Sequence, residues 1–258
     1  MAEMERLYAE ERRFAIARAA KEDGRVEVAS LASRFGVSAE TVRQDLNNLQ
    51  SSGLVRRVHG GAIPVDRLLF EESVGDRTRY SAEKNAIAKA AVASVPASGA
   101  IFIESGSTSM MFAEHMPKDR ELTVFTNSLP IALFLAAEPA LTVLTLGGRV
   151  RPVTLGEVDR FAIRSLQEIQ VDVAFLGTNG LSASHGLTTP DQTEADFKRE
   201  TLRSANHRVL LADRSKVGTV ALWRYGSVED LDVVITNAGA DEAILDHVKA
   251  SGPKLILV

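Results

Sequence analysis

Short apolar runs recur from residue 100 to the end of the chain, at 100–104, 122–126, 141–146, 171–176, 208–211, 233–236 and 255–258. Before and between them lie segments of helical character, among them 82–95, a stretch reaching Met116, and 129–137. Short apolar strands alternating with helices indicate an α/β domain with a largely parallel sheet. No internal repeat or low-complexity tract interrupts the pattern.

The first 61 residues read differently. Residues 5–20 are rich in helix formers, and Asp23-Gly24 supplies a left-handed stop. Residues 25–28 are extended, and a second helix over 29–35 breaks at Gly36. Ser38 then caps a third helix over 39–51, because its hydroxyl can accept an orphan amide of the first turn. Val42, Leu46 and Leu49 form the buried stripe of that helix, and Gly53 ends it. A strand follows over 54–58, closed by Gly60-Gly61. This is the order of a winged helix-turn-helix. The expected organisation is a DNA-binding domain at 1–61, a linker at 62–82 and an α/β domain at 83–258.

With the stripe facing inward, Arg43, Gln44 and Asn47 face outward, and Thr41 partly so. Arginine pairs with guanine and glutamine with adenine in the major groove. Ser38 and Thr41 at the helix start suit a phosphate, and Arg56, Arg57 and His59 on the wing suit the neighbouring backbone or minor groove. The chain has a net charge of −4, but residues 1–61 carry 10 basic against 9 acidic side chains while 62–258 carry 20 against 25. Charge alone fits a solvated face, and the small helical unit alone fits protein contact as well as DNA. Cysteine is absent, which excludes disulfides and cysteine-bound metals. The longest apolar run, 129–137, is short of the ~20 residues a bilayer requires, and the first residues lack an apolar signal core. A soluble, cytoplasmic protein is expected. The five histidines are scattered without ligand spacing, so no metal is expected, and no cofactor.

In the second domain, several strand ends carry small or polar residues: Glu104 to Ser109, Thr126 to Ser128, Gly147 to Arg149, Gly177 to Gly180 and Asp213 to Lys216. Ligands of open α/β sheets gather outside the carboxyl ends of the strands. The Ser105-Gly-Ser-Thr turn before a helix can cradle an anion.

Val37-Ser-Ala-Glu-Thr-Val-Arg-Gln-Asp-Leu46, followed by Gly53-Leu-Val-Arg-Arg-Val-His-Gly-Gly-Ala62, resembles the signature of the DeoR family of bacterial transcriptional regulators. The resemblance extends through nearly the whole chain. It departs where the family often has two successive arginines and this chain has Arg43 then Gln44. The resemblance implies a sensor domain similar in fold to ribose-phosphate isomerases and glucosamine-phosphate deaminases, responding to phosphorylated sugars. It implies that Ser105, Gly106, Ser107 and Thr108 hold phosphate and that Thr126, Asn127, Gly148, Asn179 and Gly180 line the sugar. Lys198 and Lys216 would add positive charge, and Glu194 and Asp213 would accept hydroxyl hydrogens. Segments 60–65, 177–180 with 186–191, and 211–218 resemble, more narrowly, regulators of sugar phosphotransferase and fructose genes. The expected partners are operator DNA, a phosphorylated sugar such as a fructose phosphate, and further copies of the chain in a dimer or tetramer. The expected activity is repression relieved by the effector, without catalysis. A sugar-phosphate isomerase is the alternative, since Glu194, Asp213 and His185 are residue types a proton transfer could use.

Overall fold

A computed structural model describes residues 9–51, 55–64, 71 and 73–258. The chain divides into two compact units, Met1–Phe70 and Glu71–Val258.

The first unit is built from α1 (Ala9–Asp23), β1 (Val26–Glu27), α2 (Val28–Phe35), α3 (Ala39–Ser51), β2 (Val55–Val58) and β3 (Gly61–Pro64). The three strands form an antiparallel sheet in the order β1-β3-β2. Ile16, Leu31, Val42, Leu46, Leu49 and Val55 make its core, so the predicted stripe of α3 does face inward. Gly61 is required where β3 crosses β1: a Cβ there would stand 2.0 Å from the Val26 carbonyl oxygen. The hairpin runs on to residue 64, past residue 61 where the linker was expected to begin, because 62–64 pair with β2. Residues 5–8 and Gly53, also part of the sequence reading, lie outside the described residues.

The second unit contains, in chain order, α4 (Ser81–Ala91), β4 (Gly99–Ile103), α5 (Ser107–His115), β5 (Leu122–Thr126), α6 (Leu129–Leu135) and β6 (Leu141–Thr145). Then come β7 (Val150–Arg151), β8 (Gly156–Glu157), α7 (Arg160–Gln167), β9 (Val171–Leu176), β10 (Gly180–Ser182) and β11 (Gly186–Thr189). It closes with α8 (Gln192–Arg203), β12 (Ala205–Leu211), β13 (Trp223–Gly226), β14 (Val233–Thr236), α9 (Glu242–Ala250) and β15 (Lys254–Leu257). Seven strands form one parallel sheet in the order β15-β14-β12-β9-β4-β5-β6. Side chains alternate between its faces. Ile101, Ile103 and Phe175 join one core with Phe112 of α5, while Phe102, Ala174 and Leu176 join another with Phe197 of α8.

Because the strands are parallel, every strand-to-helix turn leaves from one edge of the sheet. Over that edge lie pieces without an apolar run: the β7-β8 hairpin and the antiparallel sheet β10-β11-β13. The last part of the expected linker is folded as well. Val74–Asp76 is a 3-10 turn, α4 begins at Ser81, and the Glu71 side chain is buried against Arg77 and Arg151.

Candidate functional site

Two polar surfaces follow from this fold. On α3, Arg43, Gln44 and Asn47 are exposed and Thr41 is half-buried. The helix is fixed beneath them by Arg12, whose Nε lies 2.6 Å from Oδ2 of the buried Asp45. Ser38 caps it: its Oγ accepts the Thr41 amide at 3.0 Å and lies 2.9 Å from the Thr41 hydroxyl. Arg43 pairs loosely with Glu40 on the surface, at 2.9 Å. Arg56 and His59 are exposed on the wing. Arg57 is half-buried and lies along α3. It donates to Asn47 Oδ1 at 2.6 Å and to the carbonyls of Arg43 and Gly61 at 3.3 Å. Arg57 therefore ties the wing to α3.

In the second unit, the turn after β4 organises the polar edge. The Ser105 amide donates to Asn127 Oδ1 at 2.8 Å, and Asn127 Nδ2 donates to the Glu157 carbonyl at 3.3 Å. Gly156 of the β7-β8 hairpin presses on this turn, where a Cβ would stand 2.5 Å from Ser105 Oγ. The first amides of α5 have no intrahelical acceptor and point out of the helix start beside Ser105.

Deeper in, Glu104 Oε2 accepts Lys198 Nζ at 2.6 Å and the Gly177 amide at 2.8 Å. Its Oε1 is buried and meets no donor among the described residues. Lys198 also donates to the Gly177 carbonyl at 3.1 Å and lies 5.3 Å from the centre of the Tyr225 ring. Burial opposes the lysine charge, but Glu104, Tyr225 and Glu194 outweigh it and hold Lys198 above its ordinary range. Burial pushes the Tyr225 phenol up to about 12, so it stays a donor, here to the Gly177 carbonyl at 3.1 Å.

A second cluster surrounds Glu194. Its oxygens accept Thr154 Oγ1 and Thr189 Oγ1, each at 3.1 Å, and Arg151 Nη1 at 3.2 Å. Burial raises the Glu194 carboxyl above its ordinary range and Glu71 adds to this, against the opposing pull of Lys198 and Arg151. Asn179 joins the cluster, with Oδ1 3.1 Å from the Thr189 hydroxyl.

The fold thus brings together Glu194, Lys198 and Asn179 of the expected sensor residues, with Ser105 to Thr108 at the α5 start. Thr126 and Asn127 sit beside them, engaged with the backbone. Thr126 is fully buried, donates to the Ile103 carbonyl at 2.6 Å and accepts the Ser128 amide at 3.0 Å. Gly148 packs against Asp159, and Gly180 against the Thr219 carbonyl and Thr188. Asp213 closes its own turn by accepting the Ser215 amide at 3.0 Å, and the Lys216 backbone pairs with Leu181 of β10. Arg151, Glu71 and Tyr225 were missed by sequence reasoning. The run Gly147-Gly-Arg-Val-Arg151 carried a signal for the first, since a second arginine follows a polar strand end.

A model of the DeoR-like helix-turn-helix domain matches residues 12–67, and a model of the DeoR C-terminal sensor domain matches residues 79–238. The chain belongs to the DeoR family. Among its DeoR-family relatives is the HTH-type transcriptional regulator GlpR of Haloferax volcanii, 35% identical over 97% of this chain and 98% of the relative. The putative aga operon transcriptional repressor of Escherichia coli O157:H7 is 29% identical, covering 96% and 93%. The HTH-type transcriptional repressor GlcR of Bacillus subtilis is 27% identical, covering 97% of each. Among solved structures, ribose 5-phosphate isomerase A of Methanocaldococcus jannaschii aligns over 54% of this chain and 55% of that one, with 21% identity and a TM-score of 0.39. In this DeoR-family chain the helix-turn-helix match contains all of α3 and the wing, and the sensor match contains Glu104, Arg151, Glu194 and Lys198, with Glu71 lying before it. No described helix is long and apolar enough to cross a membrane.

Proposed function

We propose that this protein is a repressor of sugar uptake or metabolism genes that leaves its operator when a phosphorylated sugar binds the second unit. The observation that carries the ligand half is Glu104. A buried carboxylate oxygen without a donor is costly, and a sugar hydroxyl would satisfy it. Lys198 and the start of α5 offer positive charge nearby, the latter through amides that suit a phosphate. The relatives named as repressors, of an aga operon among others, support the regulatory half. Arg43, Gln44 and Asn47 would read bases, with Arg56 and His59 on the backbone. Two such heads on repeated half-sites require at least a dimer.

The raised carboxyl of Glu194 is the feature an isomerase reading would use as a general base. Its oxygens are already committed to Arg151, Thr154 and Thr189, which favours binding over proton transfer. The test has two arms. A thermal-shift panel of fructose 1-phosphate, fructose 6-phosphate, ribose 5-phosphate and glucosamine 6-phosphate should give one clear stabiliser. That compound should release the protein from a duplex selected out of a random-sequence pool, in gel shifts at several salt concentrations. Ser107→Arg should abolish the stabilisation while leaving duplex binding intact. Turnover of any panel member, or stabilisation without release, would refute the repressor reading.

A further inference from the structure

Glu71 opens the second unit, on the chain that arrives from the DNA-binding unit, and belongs to no helix or strand. Its side chain is nevertheless only 3% exposed. The carboxylate pairs with Arg151 and with Arg77, the latter at 2.7 Å, and lies 3.4 Å from Asn179 Nδ2. Arg151 in turn reaches Glu194 at 3.2 Å and Asp191 at 3.5 Å. A guanidinium beside an amide is the donor set that grips a carboxylate or a phosphate. Here the oxygens it grips belong to the chain itself.

The arrangement is not one a core requires. Burying a glutamate costs free energy unless partners compensate. Here Glu71, Asp191 and Glu194 converge on Arg151, with Arg77 as the second cation. Three carboxylates share two guanidiniums, so Glu71 adds repulsion as well as attraction. An incoming ligand oxygen can take over its bonds to Arg151 and Asn179 while Glu71 returns to water.

We propose that Glu71 is a built-in occupant of the effector site, and that a phosphorylated sugar displaces it, takes Arg151 as its own ligand and releases residue 71 at the entrance of the second unit. This rests on the effector reading above and adds its coupling. A ligand acts on a distant equilibrium only through contacts that differ between two states. Glu71 seated or displaced is such a difference.

The test uses the full chain, its selected duplex, and fructose 1-phosphate, fructose 6-phosphate and ribose 5-phosphate as probes. Glu71→Gln and Glu71→Ala should bind the responding probe at least about threefold more tightly than the unaltered protein, since the competitor is weakened or gone. Without any probe, both should hold the duplex more weakly, as the unaltered protein does with probe bound. Arg151→Met should bind the probe at least about tenfold more weakly. Probe affinity that is unchanged or lower in both Glu71 variants overturns the proposal while leaving the effector reading standing. Failure of every probe on all the proteins removes the effector reading and this proposal with it. Melting curves identify any variant that fails to fold, and Glu71→Gln keeps the side-chain volume if Glu71→Ala does not.

Discussion

Arg43, Gln44 and Asn47 face water on α3, whereas Glu104, Glu194 and Lys198 are sealed inside the second unit. The first group stands on a prepacked stripe and a buried Arg12–Asp45 pair. The second group is its own support: each charge is held by another member of the same site. DNA is a large polyanion and is met by an open surface. A small polar ligand has to be enclosed, so the charges of its site are held by one another, while Glu104 Oε1 is left without a donor among the described residues. Substitutions of Arg43 and Gln44 should therefore cost binding alone, and those in the second group should cost folding.

The largest expected effect is at Lys198. Lys198→Met leaves the buried Glu104 carboxylate without its cation, and breaking such a pair from one side costs about 3–5 kcal/mol. Urea denaturation should show that loss, and adding Glu104→Gln should recover most of it. Next is Arg43→Ala, which should weaken duplex binding by about 1–3 kcal/mol through one lost base contact. Its melting temperature should stay put, because an exposed pair with Glu40 adds at most about 1 kcal/mol. A fall in stability like that of Lys198→Met would break the contrast between the units.

Glu194 sharpens it further. Its carboxyl is raised in the folded state, so the native protein holds that proton more tightly than the unfolded chain does. The contribution is present below the ordinary glutamate value of 4.5 and is lost as pH rises through the raised one. Glu194→Gln should remove that decline, so its stability should gain on the unaltered protein as pH increases through this window. Denaturation at a series of pH values reads the difference. The smallest effect is at Arg56: Arg56→Ala should weaken binding evenly across duplex sequences and lower the salt slope by about 1.

What could be read beforehand follows the range of the forces involved. The seven parallel strands and α3 rest on local patterns, continuous apolar runs and an i, i+4, i+7 stripe, and both were legible. The sheet β10-β11-β13 was not, because its buried positions include Ser182, Thr188 and Thr189 rather than an apolar run. Strand-end residues were legible as types but not in their direction. Thr126 and Asn127 are bound to the backbone, while Glu104 and Lys198 meet from positions 94 residues apart. Glu71 and Arg151, 80 residues apart, show the same limit: no local signal marks a linker carboxylate as the partner of a hairpin arginine.

Arg57 links the wing to the middle of α3 through Asn47 and the Arg43 carbonyl. A protein strut of this kind sets the phase between two grips on a duplex. If the wing holds one phosphate, the α3 side chains are presented at a fixed angular offset around the DNA axis. A sequence whose groove is locally narrowed or overwound would present its bases at a different angle and lose contact with Gln44, even where the letters match. On the proposed docking, the strut would make this head sensitive to the twist of its target as well as to its bases.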